Sequence, residues 1–163
     1  MSTEMGEYVV GAYLKLEEEC DFVDFNVRPP GGGMKGLGEL DVIGLNFKTD
    51  TAFLCEVTTH ITRLSYGSNA ESVERVTAKY ERQREYAGEF LGKFSKHPFM
   101  FWSPVVPKGY LTRNLAKIEG LELVINGSYK ERIEHLRCRA RREKQDTGNP
   151  FFRALQILEH LRE

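Results

Sequence analysis

Apolar residues recur at the three- and four-residue spacing of an amphipathic helix in five stretches of this chain. The first stretch begins after Ser2 or Thr3, either of which can cap a helix. The others lie at about residues 69–94, 110–118, 129–144 and 150–162. A breaker that contains glycine and proline separates the last two, so two distinct helices are predicted at the end of the chain.

Strands are predicted where apolar and polar residues alternate, or where short apolar runs lie between turn residues. They occupy residues 22–28, 40–46, 52–58, 99–105 and 121–125. A short turn joins the second strand to the third, which predicts a hairpin. Three consecutive strands, followed by a helix that leads to further strands, predict an α/β fold with a mixed sheet covered by helices.

The 163 residues fit a single domain that buries a core without disulfides. A composition of 40% hydrophobic and 29% charged residues excludes a disordered or collagen-like chain. No apolar run approaches the ~20 residues that a membrane span needs, and the acidic N-terminus lacks the basic region of a signal peptide. Three cysteines without a CxxC pair favour a reducing compartment, so we expect a cytoplasmic protein.

Two carboxylates occur on the predicted hairpin. Asp41 lies at the start of one strand and Glu56 near the end of the next, and such positions come within a few ångströms when the turn lies between them. Their charges repel each other, and Mg²⁺ or Mn²⁺, which prefer oxygen ligands, would remove that repulsion. Glu56 has apolar neighbours in Leu54, Cys55 and Val57, so its charge is costly there. The structural alternative is that Glu56 pairs with an arginine or faces solvent.

The spacing of these residues resembles the core of the PD-(D/E)XK nucleases, which include restriction endonucleases and archaeal Holliday junction resolvases. Asp41 is followed by fourteen residues and then by Glu56-Val57-Thr58. The predicted order α-β-β-β-α-β is that of the family's core, as is a glycine-rich stretch before the aspartate, here residues 31–38. The resemblance covers about residues 4–105. It implies a restriction-endonuclease-like fold, with residues 106–163 as a helical C-terminal extension.

The resemblance also implies a metal-dependent endonuclease that cleaves phosphodiester bonds in DNA. Asp41, Glu56 and the backbone carbonyl of Val57 would hold Mg²⁺ or Mn²⁺. Glu7, on the core side of the first helix, would complete the metal shell, or Glu4 in a different helix register. The alternative for Glu7 is a first-turn glutamate that the helix dipole favours. DNA follows from the resemblance alone, and the residues do not exclude RNA.

One position departs from the family's pattern. Thr58 stands where the family has a lysine that orients the attacking water and offsets negative charge. Lys79 and Gln83, one turn apart beside the apolar stripe of the long helix, are the candidate replacements. Their structural alternatives are a lysine whose stem covers the core and a glutamine that caps a neighbour. If nothing replaces the lysine, the chain is an inactive nuclease-fold protein that binds nucleic acid or a protein partner.

A net charge of −1 excludes a polycationic coat for nucleic acid but allows a local basic surface. Arg28 and Lys35, beside and within the glycine-rich stretch, can meet phosphates. His60 and Arg63, just after the acidic strand, would form the rim of the same site. Glu39 is expected on the opposite strand face from the metal-binding aspartate. No aromatic platform for single strands is predicted.

The two C-terminal helices carry a basic run and an apolar stripe. The basic run, at residues 137–142, ends the fourth helix, where positive charge is favourable against the helix dipole. The apolar stripe comprises Phe151, Phe152, Leu155, Leu158 and Leu161. We expect most of this stripe to cover the core. We expect its exposed remainder to form a homodimer contact, because a dimer with two-fold symmetry has two active sites that can make two coordinated cuts in DNA.

Overall fold

The computed structural model describes residues 2–30 and 38–162, and its elements follow the predicted order. The helices are α1 (Met5–Leu16), α2 (Asn69–Phe90), α3 (Tyr110–Leu115), α4 (Asn126–Arg142) and α5 (Pro150–His160). The strands are β1 (Phe22–Val27), β2 (Leu40–Asn46), β3 (Thr51–Val57), β4 (Phe99–Ser103) and β5 (Leu121–Ile125). None of the described helices has the length and apolar composition of a membrane span.

The five strands form one mixed sheet in the order β1-β2-β3-β4-β5. Neighbouring strands are antiparallel from β1 to β3 and parallel from β3 to β5. The predicted hairpin joins β2 to β3, with Val42 opposite Cys55 and Asn46 opposite Thr51. Helix α2 lies in the crossover that the parallel pair of β3 and β4 requires. The prediction of an α/β fold with a mixed sheet is therefore confirmed.

Alternate residues of the central strands face opposite sides of the sheet, and helices cover both sides. On one side, Val42 and Cys55 belong to a core cluster with residues of α1, α4 and α5. On the other side, Ile43 and Leu54 pack with Ala87 of α2. Residues of β2 and β3 that are two positions from Ile43 or Leu54 therefore lie on the side that α2 covers.

The C-terminal third of the chain contributes to the sheet and to its core. Strand β5 pairs with β4, and Leu136 of α4 and Phe152 of α5 are fully buried in the cluster that contains Trp102. By contrast, Leu158 and Leu161 of α5 are 62% and 75% exposed. The predicted apolar stripe is thus divided between the core and the surface.

Two helices begin at residues other than the predicted ones. Helix α1 is capped at Glu4 rather than at Ser2 or Thr3, and the Glu4 amide donates a hydrogen bond to the Glu7 carboxylate at 2.9 Å. The Glu7 carboxylate therefore accepts a hydrogen bond from a free amide at the start of the helix, a role assigned in the sequence analysis to the hydroxyl of Ser2 or Thr3. Helix α4 begins at Asn126, directly after β5, instead of at residue 129.

The basic run at the end of α4 forms ion pairs with neighbouring elements. Arg137 and Arg141 donate to the Glu159 carboxylate of α5 at 2.8 and 2.7 Å, and that side chain is only 3% exposed. Hydrogen bonds from Arg141 and Arg137 lower the pKa of Glu159 to about 2. Arg139 pairs with Glu17 at the end of α1. These arginines therefore connect helices, in addition to placing positive charge at the C-terminal end of α4.

We expect the packing of α1 on β1 to require glycine at position 11. A Cβ there would lie 2.5 Å from the Phe25 ring, so Gly11→Ala should destabilise the protein by about 1–3 kcal/mol. A Cβ on Gly88 of α2 would meet no atom within 4 Å, so Gly88→Ala should stabilise the protein by up to about 1 kcal/mol through helix propensity. Chemical denaturation of both variants measures the difference. Equal effects would contradict the described packing of α1.

Candidate functional site

Asp41 and Glu56 line one cavity of about 150 Å³ beside α2. The β2–β3 register, continued by one residue beyond Val42 and Cys55, places these two carboxylates opposite each other on the side that α2 covers. Asp41 Oδ2 accepts a hydrogen bond from the Val57 amide at 2.8 Å, which fixes this carboxylate against β3. The prediction that the hairpin brings the two carboxylates to one site is therefore confirmed.

Glu56 is buried and Asp41 is partly buried. The Glu56 side chain is 6% exposed. Burial raises the pKa of Asp41, while the Val57 hydrogen bond and the charge of Lys79 act in the opposite direction. A negative charge in such a setting is costly unless a cation neutralises it. The site therefore favours a cation close to these two side chains.

Lys79 of α2 supplies a positive charge at this position. Its ammonium forms an ion pair and a hydrogen bond with Glu56 Oε1, and the lysine side chain is 24% exposed. Burial lowers the pKa of Lys79, and the negative charge of Asp41 counteracts this effect. The expected placement of Lys79 beside Glu56 agrees with the structure, and its catalytic role stays a prediction.

Three further residues belong to this site and were not among the predicted ones. Arg75 and Arg82 line the cavity. They lie four residues before and three residues after Lys79, so helical spacing from Lys79 indicates both. The ring of Tyr66 lies 4.8 Å from the Arg75 guanidinium carbon and 5.8 Å from the Lys79 ammonium. Burial raises the pKa of Tyr66 to about 12, so its hydroxyl stays protonated at neutral pH.

The expected orientation of Glu39 is wrong. Glu39 lines the same cavity as Asp41, because residues two apart along an extended chain point to the same side. Its carboxylate lies 3.8 Å from the guanidinium of Arg28, whose side chain is 49% exposed. Arg28, a predicted phosphate contact, therefore lies near the cavity with its charge partly neutralised by Glu39.

Glu7 does not line the cavity, although it was predicted to complete the metal shell. Its carboxylate accepts hydrogen bonds from the Glu4 amide and from Asn26 Nδ2, at 2.9 and 3.2 Å. Burial raises the pKa of Glu7, the Glu4 amide opposes this, and the charge of Asp41 raises it further. The structure thus favours the alternative role of Glu7 in the first turn of α1, within electrostatic range of the site.

Gln83 and Thr58 are also outside the cavity lining. Gln83 is fully buried, and its Nε2 donates to the Met100 carbonyl over 3.5 Å. The Thr58 hydroxyl donates to Ser103 Oγ at 2.7 Å. Both side chains therefore hold neighbouring segments in place, which leaves Lys79 as the predicted replacement that reaches the carboxylates.

The predicted rim residues have different surroundings. The His60 ring packs edge-on against Tyr66, with 5.7 Å between the ring centroids. Arg63 is exposed in the segment that follows β3. Lys35 lies outside the described residues. His60 is therefore connected to the cavity through Tyr66, and its role as a nucleic-acid contact stays a prediction.

The donor set fits a Mg²⁺ or Mn²⁺ ion. Asp41 and Glu56 offer hard carboxylate oxygens in one cavity, and the Val57 carbonyl is the predicted third ligand. Within residues 2–30 and 38–162, no group of three or more histidine, cysteine, aspartate or glutamate side chains is placed to hold a metal. One or two carboxylates, completed by water and substrate phosphate, are the usual protein ligands of Mg²⁺.

No family model, curated protein or solved structure matches this chain. The cavity residues and their electrostatic environment therefore carry the information about function.

We expect Asp41→Asn to leave the metal-free protein as stable as the wild type, or slightly more stable, at neutral pH. Burial raises the pKa of Asp41 above its unfolded value, so its ionisation weakens the fold as the pH rises through that pKa. The neutral amide removes this effect, and its oxygen can still accept from Val57. Mn²⁺ should raise the Tm of the wild type but not that of the variant.

Thermal melts in EDTA and in Mn²⁺ measure both effects. Asp24→Asn, at an exposed aspartate of β1, is the matched control and should keep the response to Mn²⁺. A marked loss of stability of Asp41→Asn in EDTA would indicate that Asp41 serves a structural ion pair instead.

Proposed function

We propose that this protein is a Mg²⁺- or Mn²⁺-dependent endonuclease that cleaves phosphodiester bonds in DNA on a restriction-endonuclease-like fold. The observation that carries the proposal is the shared cavity, in which Asp41 and Glu56 face Arg75, Lys79 and Arg82. The two carboxylates can bind a metal ion, and the three cationic side chains can bind the phosphate of a phosphodiester. The order of helices and strands along the chain supports the same proposal, since it agrees with the α-β-β-β-α-β core that the family resemblance implies.

Asp41, Glu56 and the Val57 carbonyl would hold the metal ion. When bound, such an ion lowers the pKa of a coordinated water and offsets the charge of the scissile phosphate. The Asp41 carboxylate is already oriented by the Val57 amide. Lys79 reaches Glu56 from α2, so its ammonium can orient a water beside the carboxylates and stabilise negative charge on the phosphate.

Arg75 and Arg82 would bind the phosphate oxygens. Guanidinium groups match the geometry of phosphates and stay charged at every physiological pH. Tyr66 supports this arrangement, because its ring packs beneath the Arg75 guanidinium and also faces the Lys79 ammonium. Arg75 and Lys79 therefore share one packing partner on the side of α2 that faces the cavity.

The ion pairs within the cavity favour a second candidate function. Lys79 neutralises Glu56, and Arg28 lies close to Glu39, so the charges are partly compensated without a metal. The second candidate is therefore a protein that binds nucleic acid or a protein partner at this site without cutting it. RNA in place of DNA is a further outcome, and an RNA strand incubated under the same conditions as the DNA distinguishes it.

We expect divalent-dependent cleavage when the protein is incubated with supercoiled, linear and branched DNA in Mg²⁺, Mn²⁺ or EDTA. Asp41→Asn should abolish cleavage. Lys79→Ala should lower the rate by about 10²–10³, because it removes an electrostatic contact to the reacting phosphate. DNA affinity should change little, because the other cations also contribute to it. Lys117→Ala, at an exposed lysine after α3, is the control for loss of a positive charge.

Thr58→Lys in the Lys79→Ala background should restore part of the activity, because it returns a lysine to the family's usual position. An equal rate for Lys79→Ala and wild type would show that the lysine has no role in the reaction. DNA binding without cleavage under every condition would favour the second candidate function.

We also propose that the protein forms a homodimer through the exposed part of α5. Ile157, Leu158 and Leu161 are 52%, 62% and 75% exposed and lie on one helical face. Replacing Leu158 and Leu161 together by glutamate should convert a dimer to a monomer, measured as the mass in solution at micromolar concentration. Phe47→Glu, at another exposed apolar residue, should leave the mass unchanged. A monomeric wild type, with or without DNA, would contradict the proposal.

A further inference from the structure

A second cavity, of about 220 Å³, lies beside the cavity that holds the two carboxylates. Its apolar lining includes the rings of Tyr86 and Phe90 at the end of α2, together with Pro29, Pro30 and Leu40. The two aromatic rings are 4.8 Å apart between centroids and inclined by 45°. Phe90 is 38% exposed, so part of this aromatic surface is open to a ligand. No aromatic platform is predicted in the sequence analysis, but Tyr86 and Phe90 are four residues apart on one helix and therefore adjoin.

The two cavities share residues. Leu40 and Arg82 line both of them, and Leu40 directly precedes Asp41 in β2. A ligand bound at the carboxylates can therefore extend past Arg82 into the aromatic cavity. This connection indicates that the second cavity accommodates another part of the same ligand.

The polar residues of the second cavity indicate which part of a nucleic acid it would take. Glu85 and Glu89 line it, and carboxylates repel a phosphate. Carboxylates accept hydrogen bonds from exocyclic amino groups such as the N4 amino group of cytosine. Aromatic rings stack on the flat face of any base. Base edges and faces therefore suit this cavity, and the sugar-phosphate backbone does not.

We propose that this cavity binds one unstacked nucleobase of the strand whose phosphate lies at Asp41 and Glu56. The inference rests on the proposed function, because the position of the phosphate determines which base is in reach. The volume is below the ~300–1,000 Å³ of cavities for drug-sized ligands, which suits a single ring system. A paired base must leave its stack to enter such a cavity. The substrate is therefore DNA with unpaired nucleotides, such as a single strand, a flap or a branch.

Equilibrium binding in EDTA tests this proposal without any cleavage. The probes are a fluorescein-labelled single strand of deoxycytidine and a strand of the same length without bases, compared by fluorescence anisotropy. Both carry the same phosphate charges, so only base contacts distinguish them. The strand with bases should bind about 5- to 150-fold more tightly, which is the range expected from stacking on aromatic side chains.

Phe90→Ala should remove most of this difference, and Tyr86→Phe, which keeps the ring, should preserve it. Tyr110→Ala, at an exposed tyrosine of α3, is the control and should also preserve it. Glu89→Gln should weaken binding of the cytidine strand relative to a thymidine strand, because thymine has no exocyclic amino group to donate. A circular dichroism melt of each variant shows that it is folded.

Equal affinities for the strands with and without bases, including no measurable binding of either, would overturn the proposal. So would an unchanged ratio in Phe90→Ala. If the protein cleaves DNA with a divalent ion but binds the strands with and without bases equally, the base cavity is overturned and the proposed nuclease function is not. Base-dependent binding without cleavage would support the cavity and favour the second candidate function over the nuclease.

Discussion

Two carboxylates on one side of the sheet, one buried and one partly buried, are the constraint on which this structure depends. The antiparallel hairpin places Asp41 and Glu56 on the same side of the sheet, and burial raises the pKa of Asp41. Such a pair is stable only with compensating positive charge. Helix α2 provides this charge through Lys79, and the hydrogen bond from the Val57 amide provides further compensation.

Helix α2 meets this constraint by presenting two neighbouring rows of side chains. One row is buried against the sheet and comprises Val76, Tyr80, Gln83 and Ala87. The other row lines the two cavities and comprises Arg75, Lys79, Arg82, Tyr86 and Phe90. The second row changes along the helix from cationic to aromatic, so one element carries the side chains of both the proposed phosphate contacts and the proposed base contacts. The buried row sets the rotation of the helix, and this rotation directs the other row to the cavities.

Hydrophobic patterning predicted the elements of this fold because helices such as α1 and α2 bury one face, whereas the central strand β3 is a short apolar run that is buried on both faces. The hairpin also predicted that Asp41 and Glu56 meet, since register follows from a short turn. The expected orientation of Glu39 was wrong although the sequence contained the signal. Residues 39 and 41 are two apart, and side chains two apart along a strand point to the same side. Tyr66 could not be predicted, because it lies in the loop between β3 and α2, where no period relates a residue to its neighbours. Its position depends on packing against the core cluster that contains Leu64 and Val76, and on the hydrogen bond that its amide donates to Ser72 Oγ.

On the proposed function, Thr58 and Lys79 separate a motif from the chemistry it serves, because the family resemblance implies a lysine at position 58. Reaction at a phosphate requires a positive charge at a point in space, and it does not matter which element carries that charge. The Thr58 hydroxyl is engaged with Ser103 and supplies no charge. The long stem of Lys79 carries an ammonium from α2 to Glu56. A helix rotated by one residue, about 100°, would direct Lys79 away from the carboxylates, so this compensation depends on the packing of the buried row.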